Sequence, residues 1–231
     1  MRGSGAFIGT SGWSYSWNEG KSLDWYASSS GLNAIEVNYS FYRFPSKSAV
    51  LEWSKEGKDL SWSIKVNRFI THVLKFNEKA ERPMRDFVKT FEALEKRIDN
   101  YLFQLPPVIK QDKKERILEF LDDTGTRKKA VIEPRNLSWF DEEVFRYFKK
   151  NNVTLASIDS PLWRGIVKTS DKVYLRLHGR DSWYSYRYSN YELGEIAKKL
   201  KKSGAKTSFV FFNNDHAMLD NARSMRRLLS P

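Results

Sequence analysis

The feature that most constrains this chain is an alternation. Short runs rich in β-branched and aromatic residues, at 7–11, 34–38, 61–66, 101–105, 130–133, 153–158, 173–178 and 208–212, are separated by stretches of helical periodicity. Eight strands alternating with helices read as parallel βαβ units, in either a doubly wound sheet or a closed barrel. The count of eight and the length of 231 residues favour the barrel, because both match a (β/α)8 domain. The first turn, GTSGWS, lacks the G-x-G-x-x-G of a dinucleotide-binding half. The expected fold is therefore α/β, a single TIM-type barrel domain over residues 1–231. Residues 160–172 carry no clear helical period, so the sixth helix, after the sixth strand, is expected to be short or missing.

Helix ends support the same frame. Ser189-x-x-Glu192 is a capping box before a helix that stops at Gly204, and Asp112-x-x-Glu115 opens another. Ser46 and Gly57 bracket a helix with Ala49, Val50 and Trp53 inward, while Phe87, Val88, Phe91, Leu94 and Ile98 share one face of a helix opening after Pro83.

Composition narrows the class. The absence of cysteine excludes disulfides, thiolate metal sites and cysteine nucleophiles. No apolar run approaches the roughly 20 residues that span a bilayer, and the start MRGSGAFIGT has no signal-like apolar core, so a cytoplasmic protein without membrane contact is expected. From Ser160 to Pro231 there are 14 Lys/Arg against six Asp/Glu, a field that attracts polyanions or simply solvates a surface.

In such a barrel chemistry sits at the C-terminal ends of the strands. Those ends offer Ser11 and Trp13, Glu36 and Asn38, Lys65, Gln104, Glu133 with Arg135, Asp159, Arg176 with His178 and Arg180, and finally Asn213 and Asn214. Period-2 alternation places Glu36 with Asn38, and Arg176 with His178, on one face each. Ionisable groups converging among apolar residues are costly unless they have a purpose.

The segments GTSGWSY (9–15), AIEVNYSFYRFP (34–45), ITH (70–72) and FQLPP (103–107) lie in order along the chain. Glu133-Pro134-Arg135 with Ser138-Trp139-Phe140, YLRLHGR (174–180) and FFNND (211–215) follow them. On these motifs the sequence resembles the YecE-like family, domain of unknown function 72. The resemblance implies a TIM-type barrel and implies no activity. It departs at Pro134, where an aromatic is expected, and this bears on how Arg135 is presented.

Read as chemistry, Glu36 and Glu133 are an acid–base pair or charge-balancing groups, Glu36 for Lys65 and Glu133 for Arg176 or Arg135. Strands two and five stand apart around an eight-strand ring, so a close carboxylate pair of the retaining-glycosidase kind is not expected. Lys65 is a Schiff-base candidate or, the favoured reading, an electrostatic partner whose charge two glutamates preserve. His178, between two arginines, is a proton shuttle beside a bound phosphate; His72 and His216 are weaker.

Arg176, Arg180, Asn213, Asn214 and Arg135 form the expected anion site. Trp13, Trp183, Tyr184 and Tyr186 are the expected stacking surface for bases or sugar rings. Glu36, Glu133, His178 and Asp215 lack metal-ligand spacing, so neither metal nor cofactor is expected. The leading function is a hydrolase on a phosphate-bearing substrate, nucleic acid favoured, with single-stranded nucleic acid as the partner bound by the basic last third and the loop 180–188. The alternatives are a non-catalytic nucleic-acid-binding module and a carbohydrate or sugar-phosphate enzyme. The sequence sets no oligomeric state.

Overall fold

The structure, a computed structural model, describes residues 5–230; residues 1–4 and Pro231 of the expected domain lie outside them. The first half runs β1 (Gly5–Ser11), α1 (Leu23–Ser29), β2 (Ala34–Val37), α2 (Tyr39–Tyr42), α3 (Lys47–Glu56), β3 (Ser61–Lys65), α4 (Glu81–Thr90) and β4 (Ile98–Gln104). The second half runs α5 (Lys114–Asp123), β5 (Ala130–Glu133), α6 (Glu142–Lys150), β6 (Thr154–Leu155), β7 (Ser157–Asp159), β8 (Lys172–Leu177), α7 (Asn190–Lys202), β9 (Thr207–Phe212) and α8 (Met218–Leu229). All neighbouring strands are parallel, in the order β6-β5-β4-β3-β2-β1-β9-β8-β7. The result is a nearly closed α/β barrel.

Nine strands replace the expected eight because the sixth changes partner midway. β6 pairs with β5 and β7 with β8, and Ala156 between them donates its N–H to Ile132 O at 2.8 Å. One strand thus serves both edges of the seam. No helix follows it, as expected. The connection instead lies along the seam, where Thr169 Oγ1 accepts from Leu155 N–H and Ser157 Oγ from Val167 N–H. Those bonds satisfy backbone donors that a helical segment would have left to the sheet edge.

Alternation along each strand divides the core in two. One face packs against the helices in a single large cluster, while Ala34, Leu102, Val131, Ala156, Tyr174, Phe209 and Phe211 fill the barrel interior with Phe7. Gly9 is required at one crossing: a Cβ there would collide with the Ala34 carbonyl and crowd the Phe211 ring.

The helix signals fared unevenly. Ser189 and Glu192 form the capping box, and Ser46 Oγ caps α3 at Ala49 N–H. The face expected to run from Phe87 to Ile98 does not belong to one helix. α4 ends at Thr90, Glu92–Arg97 turns in 3-10 geometry, and Ile98 opens β4 opposite Trp62. Pairing with β3 takes Ile98 into the sheet, so tertiary contact overrides the local period. Asp112 does not cap α5; it lies in a 3-10 turn, Gln111–Lys113, that leads into the helix.

Candidate active site at the barrel mouth

Because the strands are parallel, their inward-facing last residues meet at one end. Arg176, on β8, is wholly buried there and lies between two wholly buried carboxylates. Its Nη2 donates to Glu36 Oε1 at 2.6 Å and its Nη1 to Glu133 Oε2 at 2.5 Å. Ser11 Oγ and Tyr174 Oη each donate to Glu36 at 2.6 Å, and Tyr174 Oη is also 2.6 Å from Ser63 Oγ. Glu133 Oε1 receives Arg135 Nη2 at 2.7 Å, His178 Nε2 at 3.2 Å and Gln104 Nε2 at 3.4 Å. Burial alone would raise the Glu133 carboxyl, but two guanidiniums and the imidazole hold it well below the usual range. Burial works against the Arg176 charge too, and Glu133 and Glu36 overcome it, so its pKa is raised.

This network bears on three expectations. Glu36 and Glu133, on strands separated by β3 and β4, are bridged by one guanidinium, and Glu133 takes Arg176 and Arg135 as the charge-balancing reading has it. Glu36 neutralises Arg176, not Lys65. His178 is neutral at physiological pH, since burial and then Arg176 depress its pKa to about 3, and both ring nitrogens have partners in the network. A carboxylate only accepts, so His178 Nε2 carries the proton toward Glu133 and Nδ1 accepts from Asn213 Nδ2 at 3.3 Å.

Lys65, at the end of β3, forms no ion pair with these carboxylates. Its Nζ lies 4.1 Å from the centroid of the Phe41 ring and enters no ion pair among the described residues. Burial, then Arg176, lowers it to about 7, against the opposing pull of Glu133 and Glu36. The two glutamates support its charge without pairing to it, and at about 7 the amine is divided between charged and neutral forms at physiological pH.

His72, a weak candidate in the sequence, stands edge-on to the same Phe41 ring at 5.1 Å. A π-helical turn, Phe69–Val73, places it there, and burial together with Lys65 lowers it to about 4. The ITH motif was the signal for it. Tyr174 and Gln104 were also legible only by alternation, two residues before Arg176 and two after Leu102.

Above this layer opens a cavity of about 530 Å³ lined by His72, Gln104, Arg135, Leu162, Trp183 and Tyr184, among others. Arg135 lies over the Trp183 ring, its Cζ 4.4 Å from the centroid, so the β8 loop supplies an aromatic face to the arginine that follows Pro134. Gly179 makes that loop possible: its φ is +101°, and a Cβ would meet Ser182 O at 2.6 Å. Trp183 and Tyr184 then cover His178, at 5.3 and 5.6 Å between centroids.

Several expected members lie elsewhere. Arg180 grips Asp159 through Nε at 3.1 Å and Glu192 through Nη1 at 2.8 Å. Asn214 donates to Tyr186 O and Asn221 Oδ1, and does not cap the last helix. Trp13 packs edge-on against Trp53. Tyr186 donates to Glu192 at 2.6 Å and packs against Tyr188.

The basic run Lys198–Lys202 closes α7, which descends from the mouth toward the start of β9. Arg223 and Arg226 donate to carbonyls of Ser30 and Gly31, just before β2 begins. These charges stand apart from Arg164, Arg180 and Arg187, the cations of the last third beside the loop 180–188. Among the described residues no group of three or more His, Asp or Glu side chains is placed to hold a metal, and no helix is long and apolar enough to cross a membrane.

Solved structures share this arrangement of elements. A DUF72 family protein from Enterococcus faecalis V583 superposes with a TM-score of 0.82 at 21% identity, over 98% of each chain. One from Thermotoga maritima MSB8 gives 0.82 at 24% identity, over 97% of this chain and 98% of that one. A sugar phosphate isomerase/epimerase from Parabacteroides distasonis ATCC 8503 gives 0.55 at 11% identity, over 100% of this chain and 98% of that one, a likeness of fold alone. The comparison with curated proteins gives no match. The family model described as protein of unknown function DUF72 matches residues 7–231, and the chain belongs to that family.

Proposed function

We propose that the mouth is the active site of a hydrolase acting on a phosphate-bearing substrate. The observation that carries this reading is that the Arg135 guanidinium lines the cavity and no carboxylate is among the described residues lining it. A phosphate oxygen suits such a lining. Arg135 is its anchor, since its guanidinium lines the cavity and is held by Glu133 and Trp183.

Lys65 supplies the base. With a pKa of about 7 its neutral amine is available at physiological pH. As a water oxygen attacks phosphorus, Nζ takes the water proton, the P–O ester bond breaks, and the resulting ammonium returns a proton to the departing oxygen. Arg135 bears the charge that develops on the phosphoryl oxygens. Arg176, Glu36, Glu133 and His178 touch no substrate in this scheme; they fix Arg135 and set the field around Lys65.

The test uses a panel of phosphate mono- and diesters with the full chain. Lys65→Met is expected to abolish turnover while inorganic phosphate still quenches tryptophan fluorescence, and Arg135→Gln to abolish both. Turnover undiminished in Lys65→Met would remove the amine from the mechanism.

The absence of any oxygen partner for Lys65 Nζ also favours a second reading, in which the amine attacks a substrate carbonyl, loses water and forms an imine. Borohydride with a panel of sugar phosphates would then leave a mass adduct on Lys65, and no adduct with any of them would discard this reading.

A further inference from the structure

We propose that the rim above β2 to β5 is a binding track for single-stranded nucleic acid leading into the mouth, an inference that rests on the phosphate-ester reading of the cavity. Four loops build this rim: 38–46, 66–77, 105–111 and 134–140. None contains an aspartate or glutamate, whereas together they carry Arg43, Arg68, Lys75, Lys110 and Arg135. Among the described residues the first four of these side chains make no hydrogen bond and no ion pair, and all four are exposed. That sets them apart from the arginines on the other side of the mouth. There Arg180 is bound to Asp159 and Glu192, and Arg187 to Asp220. A free cation that no protein oxygen engages is available to a phosphate.

The same loops expose aromatic faces. Tyr39 is 51% accessible, Tyr42 67%, Phe44 41% and Phe69 46%. Tyr39 and Tyr42 open and close the short helix α2, three residues apart and so on neighbouring positions of one face. Rings that water would otherwise wet, alternating with unpaired cations, match a strand whose bases are free to stack while its phosphates are neutralised. A duplex keeps its bases stacked on one another and offers these rings nothing. The cavity at the centre, about 530 Å³, has room for one unit of the strand, and the rim then holds the neighbouring nucleotides.

The proposal is tested by fluorescence anisotropy with labelled 12-nucleotide single strands, the corresponding duplex and a mononucleotide, over a salt series with the intact chain. The single strand is expected to bind at least tenfold more tightly than the other two. Arg43→Ala/Arg68→Ala/Lys75→Ala should reduce the steepness of log affinity against log salt by about 2, at roughly 0.7 per phosphate contact. Tyr42→Ala/Phe69→Ala should weaken binding about tenfold or more at high salt, where stacking dominates. Both variants alter exposed side chains, and circular dichroism verifies their folding.

Equal affinity for strand and mononucleotide, or strand binding unaffected by both variants, overturns the track. Tighter binding of poly-glutamate or of phosphatidylserine vesicles overturns it in favour of an acidic protein or a membrane. The two readings fail separately. Phosphate quenching lost in Arg135→Gln, without any strand preference, leaves the mouth standing and removes the track. Strand binding that needs the rim cations, with no phosphate bound at the mouth, keeps the track and removes the active site.

Discussion

Two lysines point into this barrel, one at each end, and they are treated differently. Lys172 opens β8 at the N-terminal end, where its Nζ donates to Asn100 Oδ1 at 2.6 Å and to Asp99 O at 3.3 Å. Lys65 closes β3 at the mouth with an aromatic ring beneath it and no hydrogen-bond acceptor among the described residues. Burial lowers both, to about 8 for Lys172 and about 7 for Lys65, but the other influences differ. At the far end Asp99 supports the charge; at the mouth Arg176 opposes it more strongly than any carboxylate supports it. A lysine provided with acceptors plugs a barrel. A lysine left without them, beside a cavity, is available for chemistry.

The largest effect should come from breaking the network that keeps Lys65 without a partner. Glu133→Gln leaves Arg176 and Arg135 buried with one carboxylate between them, and a buried pair deprived of one member typically loses about 3–5 kcal/mol. We expect the denaturant midpoint to fall accordingly. A change below about 1 kcal/mol would mean that solvent reaches this layer and the ring is not the closed unit its hydrogen bonds describe.

The two lysines themselves give the direct contrast. Lys172→Met strands Asn100 Oδ1 and the Asp99 carbonyl, and should cost about 1–3 kcal/mol, the penalty for buried acceptors left without a donor. Lys65→Met removes a desolvated amine that has no hydrogen-bond partner among the described residues, and should leave stability unchanged or improve it while eliminating turnover. Equal losses in the two variants would show that Lys65 has a structural partner after all.

The fold was legible in the sequence because alternation and helix ends are local signals that the barrel reinforces. The split of the sixth strand was not legible, since nothing in residues 153–158 marks a change of neighbour. For the site, position was readable and partnership was not. Glu36, Lys65, Glu133, Arg176, His178 and Asn213 all gather at the mouth, as period-2 alternation at strand ends requires. Which charge takes which partner depends on side-chain reach across the barrel. Arg176 is long enough to span from β2 to β5 and so deprives Lys65 of both carboxylates. Arg180 stood out for the same reason Arg176 did, one strand end with two arginines, but the turn at Gly179 directs it toward Asp159. Trp13 and Tyr186 are aromatic loop residues, and residue type does not reveal the direction a loop takes.

The finest distinction between the two ends is about one pH unit. In both lysines the folded-state pKa lies below the ordinary value of 10.5, so between those limits the unfolded chain binds a proton that the folded chain does not. Stability contributed by each group therefore rises with pH, from about 7 to 10.5 for Lys65 and from about 8 to 10.5 for Lys172, and is flat below those values. Between pH 7 and 8 only Lys65 contributes to the slope. Replacing Lys65 with Met should flatten the curve of unfolding free energy against pH in that interval, whereas Lys172→Met should leave it sloping there and flatten it only above. Turnover carries the same signature at the mouth. A neutral Lys65 amine as base gives a rate that climbs with pH, reaches half its plateau near 7, and is unmoved by Lys172→Met. If the half-plateau pH shifts in Lys172→Met but the profile survives in Lys65→Met, the two ends have exchanged roles and the proton acceptor at the mouth is another group.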